Sequence, residues 1–86
     1  MLYSTKTATQ KRLDLRALLT PGSAQPFPGA FTPLSAKLIE EKRFPGVYIS
    51  GAVIANELGL PDVGLTTLSE VAARGGQIAR TTDLPC

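Results

Sequence analysis

The sequence predicts an α/β fold in which short parallel strands alternate with amphipathic helices. Val47-Tyr48-Ile49 is a wholly apolar, β-rich run, as is typical of a parallel strand that is covered on both faces. Helical patterns with one apolar side precede and follow it. Alternating β and α elements of this length favour a parallel sheet with right-handed crossovers. The predicted order is helix, strand, helix, strand, helix, and the beginning of a further strand at residues 84–86.

The first two elements are a helix and a weak strand. The helix is expected from about Gln10 to Leu19, and the sequence Thr-Pro-Gly-Ser at residues 20–23 ends it. Its apolar side contains Leu13, Leu15, Ala17, Leu18 and Leu19. Residues 25–31 are short, apolar and bounded by prolines, which indicates a strand.

Threonine caps mark two further helices. Thr32-Pro33 is typical of an N-cap followed by proline at the first helical position, where no N–H is needed, so this helix should run to about Lys42. Thr67 caps the last helix, which should run to about Arg80. The inward faces are expected to contain Leu34, Ala36, Leu38 and Ile39 in the first, and Leu68, Val71, Ala72 and Ile78 in the second. The glycine-rich stretch between Ile49 and Thr67 is expected to lack regular structure.

The composition limits the classes of function. A chain of 86 residues forms at most one small domain, and 43% hydrophobic with 19% charged residues is ordinary for a globular core. A net charge of +2 is too slight to indicate nucleic acid, and the basic residues near the amino terminus are read as a solvated helix. No apolar run approaches the roughly 20 residues of a membrane span, so no membrane partner is expected.

Histidine and cysteine usage narrows the chemistry. The chain has no histidine, which removes His-based acid–base catalysis and His-ligated metal. Its one cysteine, Cys86, allows no internal disulfide and fits a reducing cytosol, so a cytoplasmic location is expected. Any chemistry must come from carboxylates, lysines, hydroxyls and backbone groups.

A candidate ligand site follows the apolar strand. Ligands of parallel α/β folds lie at the carboxyl ends of strands, where Ser50-Gly51-Ala52 stands. Gly51 allows a backbone N–H to approach an anion, and the Ser50 hydroxyl can donate to a carboxylate or phosphate oxygen. Asp62, held near the same rim by Pro61, can orient a substrate hydroxyl or a metal-bound water. The residues alone also allow a plain turn at Ser50 and a helix cap at Asp62.

Residues 28–71, PGAFTPLSAKLIEEKRFPGVYISGAVIANELGLPDVGLTTLSEV, resemble the N-terminal part of the isocitrate lyase/phosphoenolpyruvate mutase superfamily. The pieces YISGA and GLPDVGLTTLSEV are the most specific. The likeness runs from about Arg12 to Pro85, and within the superfamily it is strongest to the 2-methylisocitrate lyases.

The resemblance implies a fold and an activity. It implies a (β/α)8 barrel, of which this chain would be the first quarter: a leading helix, two strand–helix units and the start of a third strand, in a domain of residues 10–86 behind a frayed terminus at 1–9. It implies retro-aldol cleavage of the tricarboxylate 2-methylisocitrate to pyruvate and succinate in propionate catabolism. Mg²⁺ at the carboxyl-end face and a homo-oligomeric full-length enzyme are implied as well.

The resemblance also implies roles for individual residues. Ser50, Gly51 and Ala52 match a cradle for a substrate carboxylate, although the family often has Ser-Gly-Gly. Tyr48 matches a strand tyrosine beside the cradle. Asp62 matches a carboxylate that contacts the water shell of the metal.

Other family residues have no counterpart in this sequence. The D-x-D stretch that binds Mg²⁺ and the K-[KR]-C-G-H loop with its acid–base cysteine are absent, and Cys86 does not correspond to that cysteine. The chain is therefore expected to be inactive alone. Two alternatives stay open: a related member such as a phosphonate mutase or an oxaloacetate-type hydrolase, and a non-catalytic fragment that associates with a full-length subunit.

Overall fold

The computed structural model describes residues 3–86, and the α/β class is confirmed. Within these residues four helices and two parallel strands follow one another in the order α1 Ala8–Leu18, β1 Gly29–Ala30, α2 Pro33–Glu41, β2 Tyr48–Ile49, α3 Gly51–Glu57 and α4 Leu68–Ala79. The strands are shorter than expected, because β1 takes up only two residues of the predicted 25–31.

Three of the helices begin with the same device, a capping box. The side chain of Thr7, Thr32 or Thr67 accepts from the N–H three residues on, and that residue's own side chain bonds back to the cap N–H. The predicted caps at Thr32 and Thr67 are thus confirmed. The Thr7 box starts α1 at Ala8, two residues before the predicted Gln10.

The third helix corrects the prediction for the glycine-rich stretch. Residues 51–57 form α3, with Ile54 and Ala55 buried, so irregular structure is confined to the residues between α3 and Thr67. Regular structure was expected to stop at Ser50-Gly51, but Gly51 occupies the first position of α3. Its φ is not positive, in contrast to Gly59 and Gly64, which lie in the turns after the helix.

The core lies between one face of the sheet and the helices α2 and α4. The strands pair in parallel, with Gly29 opposite Tyr48 and Ala30 opposite Ile49. The buried cluster consists of Ala30, Ala36, Ile39, Val47 and Ile78.

Some residues that were expected to face the core are exposed. Leu34 and Leu68 are 78% and 85% exposed, and Leu38 is also exposed. Leu34 and Leu68 lie in the first turns of α2 and α4, whereas the core uses Ile39 and Ile78 from the later turns. A sheet of two residues per strand is too short to cover the whole length of either helix.

The predicted third strand is not formed by residues 84–86, but the chain does run beside β2. The Val47 N–H donates to the Pro85 carbonyl at 2.9 Å, while the Tyr48 N–H donates to Pro28 on the β1 side at 2.9 Å. Successive N–H groups of a strand point to opposite edges, so Pro85 lies on the edge of β2 that is away from β1. This single hydrogen bond is not enough to make residues 84–86 a strand of the sheet.

The amino-terminal residues are hydrogen-bonded in the structure. Residues 4–6 bond to Asp83, and the Ser4 N–H donates to Arg80 O at 2.7 Å. Residues 1 and 2, part of the predicted frayed terminus, lie outside the described residues, and fraying of 1–9 stays a prediction. No helix in the described part of the chain is both long and apolar enough to cross a membrane.

Candidate anion-binding site at the carboxyl end of the sheet

The residues predicted to bind a ligand follow one another at the carboxyl end of β2. Tyr48 lies in the strand and is 60% exposed, and Ser50 is the half-buried N-cap of α3. Gly51 and Ala52 are the first two residues of that helix. The hydroxyl of Ser50 and the first N–H groups of α3 therefore lie at the same edge of the sheet.

This edge carries hydrogen-bond donors that the fold does not use. The first N–H groups of an α-helix have no acceptor within the helix, and in α3 these belong to Gly51 and Ala52. The Ser50 Oγ accepts from the Val53 N–H at a long 3.4 Å, and as an acceptor it keeps its own proton to donate. Two N–H groups and one hydroxyl are suited to binding one carboxylate.

Among the described residues, no contact requires a glycine at position 51. A Cβ built on Gly51 meets no atom of residues 3–86 within 4 Å apart from its own neighbours and helix backbone, and its backbone is not in the left-handed region. Glycine in the middle of a helix costs roughly 0.5–1 kcal/mol compared with alanine, and the cost at this first helical position is smaller. The position that a Cβ of residue 51 would take is therefore open.

Asp62 lies in the exposed turn between α3 and α4. The Val63 N–H donates to Pro61 O at 2.9 Å, and Gly64 follows with φ of 79°. No hydrogen bond joins Asp62 to Ser50 among residues 3–86, so the structure does not bring these two predicted site residues into direct contact.

The described residues do not make a Mg²⁺ site. Between residues 3 and 86, no three side chains of His, Cys, Asp or Glu come together as a ligand set. Mg²⁺ prefers an octahedral set of oxygen ligands, and Asp62 alone supplies one carboxylate. The described residues by themselves therefore do not fit the metal.

A cavity and the Cys86 thiol lie outside this edge of the sheet. A cavity of about 190 Å³ lies between α3 and α4, where Glu57 and Arg74 form an ion pair of 3.6 Å, but none of the predicted ligand residues lines it. Desolvation raises the pKa of the Cys86 thiol, which Lys11 only partly offsets. A raised pKa is the opposite of what an activated nucleophile requires.

The sequence did not predict a cluster of hydrogen-bonded polar groups at the other end of the sheet. There the carboxylate of Asp83 accepts hydrogen bonds from Ser4, Thr5 and Lys6, and that of Glu40 accepts from Thr82 and the Asp83 N–H. The partners are more than forty residues apart in sequence. The only feature of the sequence that could have indicated this cluster is the pair of hydroxyl-rich stretches Ser4-Thr5 and Thr81-Thr82.

The fold and this edge define a class: an α/β protein with parallel strands, in which a helix N-terminus and a serine hydroxyl lie at a strand's carboxyl end. Residues 15–86 match the family described as phosphoenolpyruvate phosphomutase, and the chain belongs to that family.

Named relatives give the likeness more detail. The chain is 56% identical over 85 residues to "Probable 2-methylisocitrate lyase 2" of Corynebacterium glutamicum, covering 98% of this chain and 28% of that protein. It is 57% identical over 75 residues to "Probable 2-methylisocitrate lyase 1" of the same organism, covering 87% and 25%. With the 2-methylisocitrate lyase of Bacillus subtilis it shares 35% over 82 residues, covering 93% and 27%. The chain spans about a quarter of the length of these relatives.

Proposed function

We propose that this chain is the first part of a carbon–carbon lyase that cleaves 2-methylisocitrate to pyruvate and succinate. The observation that carries the proposal is the 56% identity, over nearly the whole chain, to a relative named for that activity. The chain would form the first quarter of a (β/α)8 barrel, with residues 84–86 leading into the third strand beside β2. The family's dependence on Mg²⁺ and a homo-oligomeric state belong to the same proposal.

The chain's own contribution is to bind a carboxylate of the substrate. The Ser50 hydroxyl and the N–H groups of Gly51 and Ala52 donate to the carboxylate oxygens, and Tyr48 borders the cradle. The free donors and the unfilled space at Gly51 support this role. Asp62 would act on the metal's water shell and not as a direct ligand. Because residues 3–86 do not assemble a set of metal ligands, we expect the chain to release no pyruvate by itself.

A chimera tests the activity. This chain replaces the 85 matching residues of the Corynebacterium glutamicum relative, and pyruvate release from 2-methylisocitrate is measured beside the unaltered relative. We expect cleavage with a kcat/KM within about tenfold of the relative. A folded chimera that releases no pyruvate would count against the proposal.

The same chimera separates the related activities. Oxaloacetate hydrolysis or phosphonate formation from phosphoenolpyruvate, in the absence of lyase activity, would assign the chain to one of the other reactions of the superfamily. The isolated 86-residue chain is the control, and Mg²⁺-dependent pyruvate release by it alone would contradict the expectation that it is inactive.

A second candidate is a non-catalytic role in which the chain associates with a full-length family subunit. The chain exposes 5859 Å², whereas a compact monomer of its mass exposes ~4,900 Å². The difference of about 1,000 Å² is close to the ~800 Å² that each partner buries in a standard interface. Co-purification of the tagged chain with a full-length relative favours this role, and a monomeric chain in the presence of that relative contradicts it.

A further inference from the structure

Two carboxylates hold the chain where it leaves α4. The Asp83 carboxylate accepts from the Ser4 hydroxyl at 2.7 Å, the Thr5 N–H at 2.6 Å, the Thr5 hydroxyl at 2.7 Å and the Lys6 N–H at 3.1 Å. Both oxygens of this carboxylate are used. The amino-terminal residues 4–6 are thus attached to a residue more than seventy positions away.

The second carboxylate, Glu40, lies in the last turn of α2 and holds the same segment from the other side. Its Oε1 accepts from the Asp83 N–H at 2.7 Å and from the Thr82 hydroxyl at 3.1 Å, and its Oε2 forms an ion pair with Lys37 at 2.7 Å. Thr82 is fully buried, and its Oγ accepts in turn from the Leu84 N–H at 3.1 Å. The backbone N–H of Asp83 thereby donates to the Glu40 carboxylate, and the carboxylate of Asp83 accepts four hydrogen bonds.

The held segment is the one that runs beside the free edge of β2. Two residues after Asp83, the Pro85 carbonyl accepts from the Val47 N–H at 2.9 Å. Residues 4–6, α2 and β2 therefore converge on residues 82–85, and we name Glu40 and Asp83 with their donors the carboxylate clasp. Hydrogen bonds to charged groups are worth about twice those between neutral groups. The single hydrogen bond that the Pro85 carbonyl accepts from the Val47 N–H, next to β2, is the weakest of these attachments.

We propose that Glu40 and Asp83 are positioning residues that fix residues 82–86 beside β2, so that the chain enters the third strand in a single register. The consequence for catalysis rests on the proposed function, in which a third strand would begin at Leu84 and lead to the metal-binding carboxylates. The positioning itself does not depend on that function. It is a property of the 86-residue chain, and it can be measured there.

Hydrogen exchange of two neighbouring amides tests the proposal. The Val47 N–H bonds to Pro85 on the clasp side of β2, and the Tyr48 N–H bonds to Pro28 on the other side. In Glu40→Ala we expect exchange at Val47 to rise roughly tenfold or more relative to Tyr48, because the segment loses hydrogen bonds to a charged group. Glu40→Gln keeps an acceptor oxygen for the Asp83 N–H and Thr82, so it should restore most of the protection.

The ratio of the two exchange rates separates positioning from stability. A role in global stability alone raises both rates together, and that result overturns the proposal. So does an alanine variant whose ratio is unchanged, or a glutamine variant no better than alanine. The measurement needs no substrate, so an inactive chimera would leave the clasp intact, and an unchanged ratio would leave the lyase proposal intact.

A milder variant keeps the test decisive if Glu40→Ala fails to fold. Ser4→Ala with Thr5→Val removes the two hydroxyl donors of Asp83 and leaves α2 unaltered. The Val47-to-Tyr48 ratio must rise in this variant, and it must not rise in Thr9→Val, which alters an exposed threonine of α1. An unchanged ratio in the double variant contradicts the proposal.

Discussion

The two ends of the small sheet use their polar groups in opposite ways. At the carboxyl end, Tyr48, Gly51 and Asp62 are exposed and the first N–H groups of α3 have no acceptor within the helix. At the amino end, the carboxylates of Glu40 and Asp83 accept hydrogen bonds from donors in three parts of the chain. Free donors can bind a ligand, and satisfied carboxylates can only hold the protein together. The comparison separates a rim with unbonded donors, which we propose to bind a ligand, from an amino end whose carboxylates are hydrogen-bonded within the chain.

The largest expected effect is at the amino end, in Glu40→Ala. The substitution leaves the Asp83 N–H and the buried Thr82 hydroxyl without their acceptor, and each unsatisfied donor costs roughly 1–3 kcal/mol. We expect a loss of about 2–4 kcal/mol in the free energy of unfolding, measured by urea denaturation.

The neighbouring residue supplies the control for that loss. Glu41 is exposed at the end of α2, so Glu41→Ala should stay within about 0.5 kcal/mol of the unaltered chain. If the two variants lose the same stability, the loss comes from removing charge or helix propensity and not from the clasp.

Ser50→Ala in the chimera gives the matching test at the carboxyl end. A hydrogen bond to a charged group contributes about 1.5–3 kcal/mol, so kcat/KM for 2-methylisocitrate should fall roughly 10- to 100-fold. Stability should change little, because the capping bond from Val53 is 3.4 Å long. Ser50→Thr keeps a hydroxyl and should retain most of the activity. A Ser50→Ala chimera as active as its parent would remove Ser50 from the cradle.

Acid should weaken the hydrogen-bonded contacts at the amino end of the sheet. The hydroxyls of Thr5 and Ser4, followed by the N–H groups of Thr5 and Lys6, hold the pKa of Asp83 well below its ordinary value of 3.8. Desolvation raises the pKa of Glu40, but the bonds from Lys37, Asp83 and Thr82 outweigh it and lower the pKa from 4.5. A carboxyl group whose pKa is lowered by folding stabilises the protein above its unfolded pKa and loses that contribution as the pH falls.

The acid dependence can be assigned to one residue by substitution. We expect the free energy of unfolding to decrease steadily below about pH 5. In Asp83→Asn the slope against pH should be smaller, because that carboxyl group no longer takes up a proton on unfolding. Equal slopes in the two proteins would show that the Asp83 contacts do not persist in solution.

The parts of the molecule that local signals determine were predicted, and those that depend on distant partners were not. Thr32-Pro33 and Thr67 predicted two helix starts, because a cap and its partner lie three residues apart. The prediction that Leu34 and Leu68 face the core was wrong, because both are exposed. Burial depends on what covers a helix and not on the helix's own apolar pattern. The clasp joins residues separated by 42 to 79 positions, and no spacing along the chain indicates it.

The candidate site shows the same division. Ser50, Gly51 and Ala52 were placed at a strand end by the apolar run before them, and the structure has them there. The helix that supplies two of the donors was missed, because a seven-residue element that begins with glycine has little helical signal. Whether these residues bind a carboxylate stays a prediction, as does the role of Asp62.

A pair of glycine substitutions gives the smallest and most specific test of the comparison. At the amino end, a Cβ on Gly46 would overlap the ring of Phe27, whose Cζ is 2.7 Å away, so Gly46→Ala should cost about 1–3 kcal/mol. At the carboxyl end a Cβ on Gly51 meets nothing within 4 Å outside its own helix, so Gly51→Ala should raise the free energy of unfolding slightly, by no more than about 0.5 kcal/mol at this first helical position.

The Gly51→Ala chimera then separates stability from binding. If the open space serves a ligand, the added methyl group should raise KM for 2-methylisocitrate while the protein becomes more stable. A more stable chimera with an unchanged KM would show that no carboxylate approaches Gly51. Opposite signs of stability change at Gly46 and Gly51, with the binding defect only at Gly51, would establish that the glycine at one end serves packing and the glycine at the other serves a ligand.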